Sequence, residues 1–156
     1  MNDLERFQKL FNDHYDGDPW IEITLRGTLK GISETMAAQK VGSLNSIWQI
    51  VNHVISWRET LLKRVQNENV RSPENNFIEK ISDVSAAAWE ETMKRLQSSQ
   101  DKLLSYLSGK KEINLEENPS QGQYSRYELI ESILLHDLYH LGQVVLIKKM
   151  IGEKIK

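Results

Sequence analysis

Apolar periodicity is the feature that most constrains how this chain can fold. Four long segments, approximately residues 3–15, 43–67, 83–108 and 125–152, repeat apolar residues every three or four positions, which is the spacing of an amphipathic α-helix. The first helix is expected to resume over residues 20–29, and no segment shows the two-residue alternation of a half-buried β-strand. The sequence therefore predicts an all-α protein, a four-helix bundle with up-and-down or crossover connections.

The boundaries of these helices are indicated by prolines and by one strong N-terminal signal. All three prolines lie between the long segments, where the missing N–H and the fixed φ of proline interrupt a helix. Ser125 and Glu128 form an S-x-x-E capping box, in which each side chain accepts a backbone N–H at the start of the last helix. The connection 109–124 that precedes this box is long, and we expect it to border a functional site.

Composition excludes several classes of partner and chemistry. With 156 residues, a net charge of −2 and no basic cluster, the chain has the size of one domain and no surface suited to nucleic acid. The absence of cysteine excludes disulfides, thiolate ligands and a cysteine nucleophile. Neither a signal peptide nor an apolar run long enough to cross a membrane is recognised, so a cytoplasmic location is expected.

The residues that point to chemistry are histidines. His136 and His140 are four residues apart in HDLYH, so both imidazoles project from one face of a helix and can reach the same metal ion. The same face carries four apolar residues, Leu129, Ile133, Val144 and Ile147. The pair is therefore expected inside the bundle, where a metal ion would offset the desolvation of two imidazoles. Asp137 stands where zinc proteases of the H-E-x-x-H type carry glutamate, so that type of protease is not predicted.

His53, at the margin of the apolar stripe of the second long helix, completes a candidate site of three imidazoles. Three protein ligands leave a coordination position open for water or substrate, which is the pattern of catalytic metal sites. The alternative interpretations are a solvated pair of histidines on the last helix and a His53 that simply packs. His14, beside acidic residues at the end of the first helix, is expected to be solvated or to cap that helix.

Amide and aromatic side chains supply further candidates around this site. Gln143 lies one turn beyond His140 on the same face, so a hydrogen bond to a ligand or to substrate is expected. The four tryptophans are expected in the core, and Trp20 and Trp57 are also candidates for the walls of a substrate pocket. No residue stands out as a general base, and neither a Ser-His-Asp arrangement nor a phosphate-binding glycine loop is recognised.

Two stretches of the sequence, SIWQIVNHVISWR and LLHDLYHLGQVVLIKK, resemble the DinB-like metal-binding family, which includes the YfiT-type proteins. That family carries one histidine in its second helix and an H-x-x-x-H pair in its last, commonly followed by Gly-Gln. His53, His136, His140, Gly142 and Gln143 stand in the matching places. The N-terminal stretch YDGDPWIEITLRGTLKGIS is similar to the YfiT-like version, so the resemblance covers most of the chain.

This resemblance implies a single DinB-like domain over residues 1–156, assembled as a homodimer, with one divalent ion per chain on the three histidines. Nickel or zinc is the expected ion, with manganese and iron as alternatives. Family members of assigned chemistry are transferases and isomerases that use low-molecular-weight thiols such as bacillithiol or mycothiol, and others are described as metal-dependent hydrolases. A thiol S-transferase or hydrolase acting on a small electrophile is therefore expected. The alternative is a non-catalytic protein that binds a metal or a small ligand.

The last helix also bears on assembly, because it carries apolar residues on two sides. The side opposite the histidines carries Leu134, Leu138, Leu141 and Val145. A bundle helix needs only one apolar stripe, so the second stripe requires a further partner. Either a twofold interface between two copies covers it, as we expect, or the N-terminal segment around Trp20 covers it within one chain.

Overall fold

The computed structural model describes residues 1–109 and 113–154, and no β-strand occurs within those residues. The helices are α1 (Asp3–Asp16), α2 (Leu25–Leu29), α3 (Glu34–Ala38), α4 (Ile47–Val65), α5 (Ala86–Leu107) and α6 (Arg126–Lys154), and a 3₁₀ turn spans Pro119–Gln121. The predicted all-α bundle is confirmed, and α1, α4, α5 and α6 correspond to its four long helices. None of the helices in these two ranges combines the length and the apolar character needed to cross a membrane.

Polar N-caps fix the residues at which the long helices begin. At α4, the Ser46 hydroxyl accepts the backbone N–H of Gln49, whose side chain accepts the N–H of Ser46 in return. Ser125 and Glu128 make the same reciprocal pair at α6, which confirms the predicted capping box. Ser85 caps α5 through the N–H of the third helical residue. Each such cap contributes about 1 kcal/mol to helix stability.

The core is built around α4, which packs against both α5 and α6 and buries most of its side chains. Two clusters of apolar side chains fill the interior of the bundle. One contains Val51 of α4 with Leu96 of α5, and the other contains Phe11 of α1 with Leu103 of α5. On α6, residues 135–140 separate the buried members of the two clusters. This part of α6 carries the H-x-x-x-H pair.

The connection between α1 and α4 departs from the helix predicted over residues 20–29. Only Leu25–Leu29 is helical, and the residues before it form turns. The side chain of Trp20 is 95% exposed, so the expectation that it fills the core is wrong. Trp48 and Trp89 are buried as expected and pack edge to face, with ring centroids 5.1 Å apart.

The second apolar side of α6 is covered within the chain. Leu134 belongs to the cluster that contains Phe7 and Phe11 of α1, and Leu141 belongs to the cluster that contains Tyr15 at the end of α1. The N-terminal segment therefore takes the place that a second copy of the chain was expected to fill. A homodimer stays a prediction, and it needs a different surface from the one inferred from the sequence.

Candidate metal centre

Three imidazoles from two helices meet at the α4–α6 interface. The Nε2 atom of His136 lies 2.9 Å from Nε2 of His53 and 3.1 Å from Nε2 of His140. The i, i+4 spacing on α6 places two of the rings one turn apart, and the packing of α4 against α6 brings in the third. A tetrahedral ion bound at 2.0–2.1 Å would hold its nitrogen ligands about 3.3 Å apart, so the observed separations are within a few tenths of an ångström of that geometry.

In two of these rings the nitrogen that points away from the centre, Nδ1, faces an oxygen acceptor. This contact determines the tautomer of each ring. His53 Nδ1 is 2.7 Å from the backbone carbonyl of Asn76, and His140 Nδ1 is 2.7 Å from Oε1 of Gln143. Because a carbonyl oxygen only accepts, each Nδ1 must carry the hydrogen and each Nε2 must present a lone pair. Nε2 of His136 can donate one N–H to the lone pair of either His53 or His140. The lone pair of the remaining histidine then faces a nitrogen without a hydrogen for it. A cation at the centre would satisfy all three, so the donor set fits a divalent metal.

Burial keeps two of these imidazoles neutral, which is the state required for ligation. Burial lowers the pKa of His140 from its ordinary value of 6.5 to about 4. The hydrogen bond to Gln143 raises this pKa, and the neighbouring His136 and His53 lower it further. Burial also lowers the pKa of His53, with the Asn76 carbonyl acting in the opposite direction. Both rings are therefore available to a metal at neutral pH.

A short segment of the α4–α5 connection, residues 73–78, closes one side of the centre. Asn76 directs its carbonyl to His53 and accepts the indole N–H of Trp57 on its side chain at 3.1 Å. The ring of Phe77 packs edge to face on Trp57, 5.5 Å between centroids. Asn76 and Phe77 have φ values of 52° and 59°, a left-handed backbone conformation that residues other than glycine adopt at a cost in free energy. This connection contacts the histidines, whereas the described residues of the connection expected to border the site, 109 and 113–124, make no hydrogen bond or aromatic contact with them.

A buried ion pair lies directly behind His136. Arg58 of α4 donates through Nε to Oδ2 of Asp137 at 2.7 Å, and both side chains are more than nine-tenths buried. The other carboxylate oxygen, Oδ1, is 3.7 Å from Nδ1 of His136. Sequence reasoning used Asp137 only to exclude a protease motif and missed this pair. A signal is present in the spacing, since Arg58 stands four residues after Val54 and Asp137 four residues before Leu141, each in line with apolar residues of its helix.

The remaining predicted residues fall into two groups. Trp57 lies beside the centre, 6.1 Å from the His136 ring between centroids, and Gln143 binds His140. Trp20 lies in the turn after α1, exposed, and among the described residues it makes no aromatic contact with the histidines. His14 lies half-buried in the last turn of α1, the position expected of a capping histidine, and its Nδ1 is shielded from solvent without a hydrogen bond in the described part of the chain. Its expected role, solvated or capping, stays a prediction.

The fold and the site together define a class, an all-α bundle with a three-histidine site able to hold a metal ion. The family model of the DinB superfamily matches residues 24–144, which include all three histidines, and the chain therefore belongs to the DinB superfamily. Comparison with curated proteins and with solved structures gave no significant match.

Proposed function

We propose that this protein is a metal-dependent enzyme acting on a small electrophile, either as a transferase with a low-molecular-weight thiol or as a hydrolase. The observation that carries the proposal is the convergence of three Nε2 atoms, two of which have their lone pairs directed inward by oxygen acceptors on Nδ1. His53, His136 and His140 would hold one divalent ion. Nickel or zinc suits an all-imidazole set.

The chemistry follows from the neutrality of the ligands. Three neutral imidazoles add no charge, so a bound divalent ion keeps its full charge and lowers the pKa of a water or thiol placed on it. The side chain of His136 keeps 24% exposure, which leaves a path for substrate to the centre. Trp57, beside His136, and Phe77, which packs on Trp57, offer apolar surface for the organic part of a substrate.

A second candidate function is non-catalytic binding of a metal or a small ligand on the same scaffold. The observation that favours it is that Asp137, the carboxylate next to the three rings, is engaged in a buried ion pair. Its Oδ2 is bound to Arg58 inside the bundle, so it is poorly placed to take a proton from substrate. Metal-loaded protein tested with glutathione-type thiols and model electrophiles separates the two candidates, because only an enzyme turns over.

We further propose that the protein forms a homodimer, as the resemblance implies, through the solvent-facing side of α6. Leu135, Tyr139 and Leu146 are 59%, 65% and 56% exposed, which is high for side chains of this size. Their spacing of four and seven residues places them on one face of the helix. An apolar stripe of this kind supports association of α6 with a second copy.

Elemental analysis of the purified protein tests the metal site. We expect close to one divalent ion per chain, and loss of that ion in His136→Ala and His140→Ala. His14→Ala is the matched control, because it removes the one histidine that lies outside the centre and should leave the metal content unchanged. Intact metal in both α6 variants would refute the site.

A further inference from the structure

The three histidines of the centre differ in what holds their outer nitrogens. His53 and His140 each have an oxygen acceptor 2.7 Å from Nδ1, whereas Nδ1 of His136 is buried and has no hydrogen-bond partner among the described residues. The buried Oδ1 of Asp137, 3.7 Å away, is also without a partner there. When His136 binds a metal through Nε2, its Nδ1 carries the hydrogen and becomes a buried donor facing a buried acceptor, and each is the group the other lacks.

The Asp137 carboxylate is held firmly in this place. Arg58 reaches it from α4 and donates at 2.7 Å to Oδ2 alone, so Oδ1 is left free to accept. The Arg58 guanidinium donates from Nη1 to the Ser99 hydroxyl of α5 at 3.5 Å, and its central carbon lies 5.7 Å from the centre of the Tyr15 ring. Groups from α1, α4 and α5 therefore fix the carboxylate behind His136.

We infer that Asp137 is the positioning residue of His136: it accepts the Nδ1–H of that imidazole and so directs the Nε2 lone pair to the metal. This inference rests on the proposed metal site. Closing the 3.7 Å contact to hydrogen-bond length requires a shift of about 0.5–1 Å, which a small rotation of the imidazole ring provides. The centre then has one oxygen acceptor on each histidine, namely a backbone carbonyl, an amide and a carboxylate.

The substitution Asp137→Asn separates this role from simple packing. The amide has the same shape, but Arg58 is a donor only, so the amide oxygen must turn to Arg58. The NH₂ group then faces Nδ1 of His136 and requires a lone pair there. That interaction favours the tautomer with hydrogen on Nε2, which cannot ligate a metal.

The experiment combines affinity with a direct reading of the tautomer. Zinc affinity is measured by competition with a chromophoric chelator, and two-bond ¹H–¹⁵N correlation spectra of zinc-free and zinc-loaded protein identify which nitrogen of His136 carries the hydrogen. In zinc-loaded wild-type protein we expect the hydrogen of His136 on Nδ1, whereas in Asp137→Asn at the same zinc concentration we expect it to stay on Nε2, with affinity about 10–100-fold weaker. Glu131→Gln removes a charge from an exposed position of the same helix and should behave as wild type.

Each result bears on a different claim. Zinc binding by wild type together with unchanged affinity and tautomer in Asp137→Asn would overturn the role of Asp137 and leave the metal site standing. If Asp137→Asn does not fold, the spectra of zinc-loaded wild type decide, because a His136 that then carries hydrogen on Nε2, or binds zinc through Nδ1, contradicts the inference. Failure of the wild-type protein to bind zinc or nickel would refute the proposed function, and this inference with it.

Discussion

At the scale of single residues, the imidazoles of the centre link the stability of the metal-free protein to pH. The pKa of His140 is about 4 in the folded protein and 6.5 ordinarily, and burial lowers the pKa of His53 in the same direction. Between these two values the unfolded chain binds more protons than the folded one. The free energy of unfolding should therefore be highest above pH 6.5 and fall as the pH drops toward 4.

Urea denaturation in the presence of a chelator, at neutral pH and at about pH 5, measures this effect. His140→Gln removes the imidazole with the largest shift and should reduce the loss of stability between the two conditions. An unchanged loss in that variant would assign the pH dependence to other groups.

The three histidines of the candidate site can be found from the sequence because their spacing carries the information. Two histidines at i, i+4 on an apolar face project from the same side of the helix into the bundle. Gln143, one turn after His140, lies on that side too and therefore reaches His140. Asn76 was not accessible, since its contribution to His53 is a backbone carbonyl, which every residue possesses. Arg58 and Asp137 lie on different helices, and their pairing depends on the relative rotation of α4 and α6, which no local pattern specifies.

At the scale of elements, the segment 73–78 is expected to control how firmly His53 is held. Asn76 has φ of 52° and binds Trp57 through its side chain. Asn76→Ala removes that hydrogen bond and places a residue that disfavours the left-handed region, which costs about 1 kcal/mol. The variant should show faster amide exchange across residues 73–78 and weaker metal affinity.

Asn76→Gly is the matched control for this prediction. Glycine also lacks the side-chain hydrogen bond but adopts the left-handed conformation readily, so its exchange and affinity should lie between those of wild type and the alanine variant. Equal behaviour of the two variants would show that backbone strain at this position has no part in the effect.

The long helices and the connections differ in how far the sequence predicts them. Each long helix has both a periodic apolar stripe and a polar N-cap, so local and tertiary preferences agree. The segment before Leu25 lacks that agreement: its β-branched residues and Trp20 fit neither a helix nor a buried face, and it forms exposed turns. The conformation of residues 73–78 depends on contacts with α4, which become visible only in three dimensions.

At the scale of the whole molecule, the metal is expected to add stability to a bundle that folds without it. An ion that binds only the folded state stabilises it by about 2.7 kcal/mol at a hundredfold excess over its dissociation constant. The two apolar clusters are formed by protein side chains alone and do not include the three histidines. Chelator should lower the melting temperature and leave the helical circular dichroism signal in place below the transition. Loss of that signal on chelation would mean that the metal is structural.

The homodimer is the remaining prediction at this scale, and the structure moves its expected surface. Leu134 is buried against α1, so Leu134→Glu would damage the fold rather than an interface. The exposed stripe of Leu135, Tyr139 and Leu146 has Gly142 within it, and apart from its chain neighbours and the adjacent helix backbone no described atom lies within 4 Å of where a β-carbon on that glycine would stand. Two copies of α6 can therefore approach closely about a twofold axis near this glycine.

Light scattering at micromolar concentration tests the dimer, and a mass near the 18.1 kDa of one chain would refute it. If the dimer forms, Leu135→Glu and Leu146→Glu should each dissociate it. In a twofold interface one substitution places a charge on both copies, and each charge would be buried against apolar surface. Leu10→Glu makes the same change at a partly exposed position of α1 and should leave the mass unchanged. A dimer that survives both α6 variants and retains its fold would place the interface on another surface of the bundle.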